Sequence, residues 1–597
     1  MFAYVLPLLM IVAAGEAAPT ESVAGGNAVH FVPDEAGSEQ TAHLTATTDA
    51  RVRVERAALP RRKPAQSATA HQASRPRSQR QAAPAKNAGV VTRWPIPPRF
   101  RNPRNAAQRG RSSETAGGSG GAADESPGGP EEVQEEAELP QRITPAEQRP
   151  AFQAYKRFYY NNDFRYLNDP NNREFYFGDY FKQVPIGRRS LFDFGGEYRL
   201  RDQHENNLRG RNLSGTSDDF LLQRTRFYGN LKLGERIRLY GEALDSATSF
   251  QRHTPLPTEE NGIEALNLFA DGRLYDSDRG ELWGRVGRQE LAFGNERLVS
   301  PAIWNNVLRT FDGAKLFWRG KDWKIDGFWV RPVAFGILPN AFARRDRLDT
   351  TQNFYGAYST YKGFEKQKVD FYYLGLDTYG APLSPAFPVD SNLQTFGARW
   401  MGRQQNFLYE FEGAYQFGLW GAGTQSAGMA VAGLGYELAK VKGKPQAWVY
   451  YDWASGDADP ANGRHGTFNQ LFPWGHRYFG FMDLVGRQNI RDLNGVLTFS
   501  PDENVNFSAW YHLFYLDRAR DALYNASGNP IRISPTGAAG TYVGQEVDFL
   551  VQILVNPRAD ILIGYSHFFA GSFVKATNPP GVSGNADFYY SQWSWRF

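Results

Sequence analysis

The chain has 597 residues with 67 Lys and Arg against 63 Asp and Glu, and a net charge of +4 is too small for this size to mark a nucleic-acid partner. Aromatics make up 14% at a mean hydropathy of -0.53; past the N-terminus no run approaches the roughly 20 apolar residues of a spanning helix, so a helical membrane protein is excluded but a strand-built one is not. Cysteine is absent, which excludes disulfides and thiolate metal sites.

In chain order, MFAYVLPLLMIVAAGEAAPTES carries an apolar core from Phe2 to Ala14 followed by small residues near Ala17 and Ala18. This is the layout of a secretory signal over residues 1–18, although no Lys or Arg precedes the apolar run; the alternative is the first helix of a soluble domain. Residues 19–150 are rich in Ala, Pro, Gly, Ser, Arg and Gln and poor in periodic apolar positions, the composition of a disordered linker. Its charges form a basic block from Arg61 and an acidic block, PEEVQEEAE, from Pro130 to Glu138. A solvated linker is the favoured reading over a tether to peptidoglycan, lipid phosphates or a partner. Residues 151–189 then turn dense in aromatics, AFQAYKRFYYNNDFRYLNDP onward, and are expected either to plug a pore or to lie in the periplasm.

From Ser190 to Phe597, runs of about ten residues alternate apolar and polar side chains between Gly, Asn, Asp and Pro clusters. LFDFGGEYRLR sets Phe192, Phe194, Tyr198 and Leu200 against Asp193, Glu197, Arg199 and Arg201. QRTRFYGNLKL sets Phe227, Leu231 and Leu233 against Arg224, Arg226 and Asn230. The ending FYYSQWSWRF places Tyr589, Trp593, Trp595 and Phe597 on one side and Tyr590, Gln592, Ser594 and Arg596 on the other. A soluble sandwich would alternate likewise with its charges toward bulk water. Two features favour lipid: strands long enough to cross a bilayer when tilted, and aromatic residues recurring near strand ends. Lipid also requires that every backbone polar group pair internally, which closure supplies. Some ~400 residues at about 20 to 25 per strand and loop predict roughly 16 to 20 antiparallel strands around an aqueous lumen. The expected fold class is therefore an all-β transmembrane antiparallel barrel in the bacterial outer membrane, with the N-terminal extension in the periplasm. The last strand is the expected handle for the barrel-assembly machinery.

Three segments carry a more specific signal: GRVGRQELAFGNERLVSPAIWNNVLRTFDGAKLFW from Gly284, YYDWASGDADPANGRHGTFNQLFPWGHRYFGFMDLVGRQNIRDL from Tyr450, and WYHLFYLDRARDALY near Trp510 with GYSHFFAGSFV from Gly564. In this order they resemble the alginate-export family of outer-membrane porins from about Ser190 to Phe597. The resemblance implies a monomeric barrel of 18 strands with an arginine-rich, electropositive constriction, which in the best-known members passes an anionic uronate polysaccharide outward. The long segment before Pro150 departs from that pattern.

A path for anions needs cations on its wall, and Arg stays charged and meets carboxylates with a planar fork. The candidate pore-lining residues are Arg199, Arg201, Arg224, Arg226 and Arg238 on the first strands, then Arg288, Glu290, Arg297, Arg309, Asp312 and Arg399, with Glu242, Glu410, Glu412 and Asp452 among them. They form either a mixed-charge constriction in which acids orient the arginines and permit release, or ion networks that fill the barrel. Arg224 and Arg226 share a face near Arg199 or Arg201, a clustering of like charge that is costly without acidic partners; an anion path is the simplest reason for it. Asp457 and Asp459 in SGDADPANG offer a weak Ca²⁺ possibility against the favoured reading of a plain turn. No cofactor is expected. The nine His lie beside no nucleophile motif, so no enzyme is expected. The expected function is a channel for anionic solutes, including export of an acidic polysaccharide such as alginate; the alternatives are a general small-nutrient porin, a structural or adhesive surface barrel, and a secreted carbohydrate-binding β-protein.

Overall fold

The computed structural model describes residues 149–334, 346–380 and 389–597. The expected signal peptide over 1–18 and the linker up to residue 148 lie outside the described residues. A closed antiparallel barrel of 18 strands occupies the rest. They are β1 (Ser190–Asn206), β2 (Asp218–Leu233), β3 (Ile237–Ser249), β4 (Asn261–Ser277), β5 (Gly280–Gln289), β6 (Phe311–Gly320), β7 (Trp323–Ala334), β8 (Gln352–Tyr361), β9 (Gln367–Thr378), β10 (Ser391–Gln404), β11 (Phe407–Trp420), β12 (Gly423–Glu437), β13 (Gln446–Ala454), β14 (Ile490–Asp502), β15 (Val505–Leu516), β16 (Tyr542–Asn556), β17 (Ala559–Ala570) and β18 (Ala586–Arg596).

Each strand pairs with its successor, and β18 returns to β1 with Trp595 opposite Tyr198 and Trp593 opposite Leu200. The closure continues past the last strand. Gly196 N donates to the Phe597 main-chain oxygen at 3.0 Å, and Phe597 N donates back to Gly196 O at 3.1 Å. Among the described residues the barrel strands leave no open edge, which removes the unpaired amides that lipid cannot solvate. Several turns at the end nearest Phe597, such as 278–279, 405–406 and 557–558, are tight, while the opposite end carries the longer loops 290–310, 455–489 and 517–541.

The burial pattern is inside out. On β2, Phe227 is 47% exposed while its neighbour Arg226 is 3% exposed; on β18, Trp593 is 60% exposed and Tyr590 is 1% exposed. Aromatic and aliphatic side chains thus cover the outer face, and ionised ones turn inward. A soluble sandwich buries the opposite set, so that alternative is excluded.

The interior is filled by three pieces of chain. Loops 290–310 and 455–489 fold inward and join: Val299 bridges Phe472 in parallel, Ser300 N donates to Phe472 O at 2.8 Å and Phe472 N to Leu298 O at 2.9 Å. The third piece precedes the barrel. From the short helix Pro150–Gln153 through single-turn 3₁₀ elements, its Ala154, Phe158, Tyr159, Tyr160 and Phe164 pack against the inward-facing Tyr228, Tyr240 and Phe269. Gly195 on the inner face of β1 makes room for this segment, since a Cβ there would lie 2.2 Å from Lys182 Nζ and 2.8 Å from the Tyr228 hydroxyl.

Candidate functional site

The site is the charged wall inside the barrel and the two loops that narrow it. Strand pairing sets its first layer. Antiparallel register places Glu197 opposite Arg226 and Arg199 opposite Arg224. Arg224 directs Nε and Nη2 to Glu197 Oε1 at 3.0 and 2.7 Å, and Tyr159 OH donates to Glu197 Oε2 at 2.6 Å. Arg226 Nε meets Glu242 Oε1 at 2.7 Å; Tyr240 and Asn267 donate to Glu242 Oε2, and Asn267 donates also to Glu290. Asp271 receives both Arg238 and Arg285. The clustered arginines therefore have the acidic partners whose absence would have demanded an anion. Glu197 and Glu242 are the physical reason that Arg224 and Arg226 sit side by side, and the inference from their like charge alone does not hold.

Across the lumen, Arg297 on the inward loop gives Nη1 to Glu410 at 2.5 Å and to Glu412 at 2.9 Å. Arg399 bridges Glu410 at 3.0 Å and Asp370 at 2.8 Å. Burial disfavours the Arg297 cation, but Glu410 and Glu412 outweigh it and hold its pKa well above the ordinary value. Asp452 receives Arg487 Nη1 at 2.7 Å, and the half-buried Arg288 forks onto Asp312 at 2.8 and 3.0 Å.

A second class of arginine is held by peptide carbonyls. Arg199 donates to Ile303 O, Asn305 O and Asn306 Oδ1 at 3.3, 3.0 and 3.1 Å. Arg201 donates to Trp304 O at 2.6 Å and Gln592 Oε1 at 2.9 Å, its guanidinium 3.5 Å from the Trp304 ring centroid. Arg309 donates to Ser300 O and Pro473 O at 3.0 and 3.3 Å. Among the described residues none of these three has a carboxylate at ion-pair distance. Carbonyl dipoles orient a guanidinium without supplying the counter-charge that a carboxylate gives. Trp304 in turn stacks on His476 with centroids 3.9 Å apart, and burial pushes the His476 pKa down and that of neighbouring Arg477 to about 10.

Alternation along the strands was the signal for most of these residues. It did not single out Arg285 and Arg487, although both lie in the quoted GRVGRQ and GRQN stretches. Alternation in EVDFLVQI does put Glu546 and Asp548 on the polar face, but not their role: their carboxylates receive the backbone N–H of Met482 and Phe481 and anchor loop 455–489 to the wall. Asp457 Oδ1 accepts Asp459 N at 3.0 Å and Asp459 Oδ1 accepts Ala461 N at 3.3 Å, the bonding of a turn. Among the described residues no cluster of three or more His, Asp or Glu has metal-site geometry.

The family model described as alginate export matches residues 190–585. Solved structures that this chain is similar to include OccD3 (OpdP) of Pseudomonas aeruginosa, 9% identical over 68% of this chain and 91% of that one with a TM-score of 0.44. OccAB1 of Acinetobacter baumannii is 11% identical over 68% and 96% with a TM-score of 0.45. A search of curated proteins by sequence finds no match. Similarity this low carries no argument about solutes, which rests on the residues alone.

Proposed function

Because this chain belongs to the alginate-export family of outer-membrane barrels, we propose that it is a channel that passes anionic solutes, with acidic oligo- or polysaccharide as its largest substrate. The observation that supports this most directly is the division of labour among the arginines. Arg224, Arg226, Arg238, Arg297 and Arg399 are neutralised by carboxylates and stiffen the wall. Arg199, Arg201 and Arg309 keep their charge and border the inward loops. A passing carboxylate meets fixed guanidinium groups, while Glu242, Glu290, Glu410 and Glu412, already engaged with Arg226, Arg297 and Arg399, limit how tightly it is held. Conduction needs both conditions, entry favoured and release permitted. Lipid around the aromatic outer face, a monomeric state and delivery by the barrel-assembly machinery through β18 belong to the same proposal.

The test is selectivity across a salt gradient in planar bilayers, with reversal potentials set by anions in the native protein. Polyuronate added to one side should interrupt the current, and a monomeric uronate should do so only at far higher concentration. A second reading, a porin for small anions alone, is favoured by how completely the two loops and Arg201 fill the centre. Block by the monomer with none by the polymer would establish it.

A further inference from the structure

We propose that residues 149–168 are a removable plug, seated at the short-turn end of the lumen, whose withdrawal opens the channel; this rests on the channel reading above. The segment is not a strand of the wall. It lies against the inner face, where Arg238 Nη1 donates to Tyr160 O at 2.8 Å, Tyr159 donates to Glu197, and the Arg226 guanidinium lies 4.2 Å from the Tyr159 ring centroid. It reaches both constriction loops at once: Arg157 is bonded to Glu296 of loop 290–310 and sits 4.7 Å over the Trp474 ring of loop 455–489. A body held this way stands across the path that the carbonyl-held arginines border.

Residues 175–186 form the hinge. They leave the lumen and cross the barrel rim at the seam between β1 and β18. Phe177, 66% exposed, stacks on the outward Trp595 with centroids 5.5 Å apart, and Phe181 meets Phe194. Lys182 donates to the main-chain oxygens of Phe194 and Phe597, and the short strand Val184–Ile186 pairs with Ser190–Phe192. One polar latch joins plug and hinge to the wall. Arg558, in the turn between β16 and β17, donates to Ala151 O at 3.0 Å, Tyr166 OH at 2.5 Å and Asp179 Oδ1 at 2.7 Å. Because the hinge pairs with the wall main chain to main chain, while the wall grips the plug with side chains such as Arg238 and Arg558, the plug can leave N-terminal end first. Residues 1–148 precede it in sequence, so a pull on them acts on the plug before it acts on the hinge.

The experiment uses the full chain with Arg558→Ala, recorded in planar bilayers, and with Ala154→Cys. Ala154 is fully buried in the plug, and the native chain has no other thiol. Arg558→Ala should raise open-state occupancy at least about tenfold, the change one lost charge-assisted bond produces, and should speed modification of Cys at position 154 by a bulky thiol reagent in the same proportion. If Arg558→Ala does not assemble, the Ala154→Cys protein alone decides: a modified plug cannot reseat, so conductance must rise and stay high. Modification of a conducting barrel without any change in its conductance overturns the plug. A barrel that passes no current whether or not position 154 is modified overturns the channel reading itself, a separate failure.

Discussion

Arg224→Gln and Arg201→Gln remove the same charge from neighbouring strands or the same strand face, yet the structure assigns them different consequences. Arg224 holds Glu197 through two bonds of 3.0 and 2.7 Å, and Glu197 is buried. Its loss strands a carboxylate whose remaining side-chain donor is the Tyr159 hydroxyl, at a cost of about 3–5 kcal/mol. The low end applies, because the variant also relieves repulsion with Arg199, which faces Arg224 directly. Adding Glu197→Gln removes the buried charge, and the double variant should return to within about 1 kcal/mol of the native barrel. Arg201→Gln strands no carboxylate, since Arg201 binds Trp304 O and Gln592. It loses a charge that, at ~5 Å from a passing anion and an effective dielectric near 20, is worth roughly 3 kcal/mol before screening. Urea unfolding of detergent-solubilised protein reads the first effect, and reversal potential under a KCl gradient reads the second. Arg224→Gln should be unstable and rescued by Glu197→Gln with native selectivity; Arg201→Gln should lose anion preference at least about tenfold. A rescued double variant whose selectivity falls as far as that of Arg201→Gln would refute the division between neutralised and uncompensated arginines.

Glu410→Gln should destabilise the barrel by about 3 kcal/mol rather than unfold it, since Arg297 keeps Glu412 and Arg399 keeps Asp370; the same unfolding titration measures it. Seating of the N-terminal segment should also depend on pH. Burial lowers the Lys182 pKa from 10.5 to about 7, against the opposing pull of Asp193. The docked state therefore binds fewer protons than the free one between those values, and docking strengthens as pH rises through that window. Protease resistance of residues 149–183 should grow from pH 7 toward pH 10, and a flat or falling profile would contradict this.

Period-two alternation alone fitted a soluble sandwich as well; strand length and aromatics recurring near strand ends turned it into a prediction of a closed membrane barrel, because lipid allows no open edge. Phe227 beside Arg226 and Trp593 beside Gln592 state that alternation in four residues. The number of strands came from the family likeness, as loop lengths alone spread the estimate. Which arginine meets a carboxylate and which a carbonyl was beyond the reach of any pattern. Arg224 and Arg201 occupy equivalent inward positions in sequence, but Arg224 finds Glu197 through strand register, whereas Arg201 finds Trp304 through a loop contributed about a hundred residues later. Between plugging the pore and lying in the periplasm the sequence could not choose for the aromatic-rich segment, since the same aromatic residues that pack on Tyr228, Tyr240 and Phe269 would suit other apolar surroundings as well. Local chemistry sets the face a side chain takes; the partner it meets there depends on contacts between distant parts of the chain that exist only once the cylinder has closed.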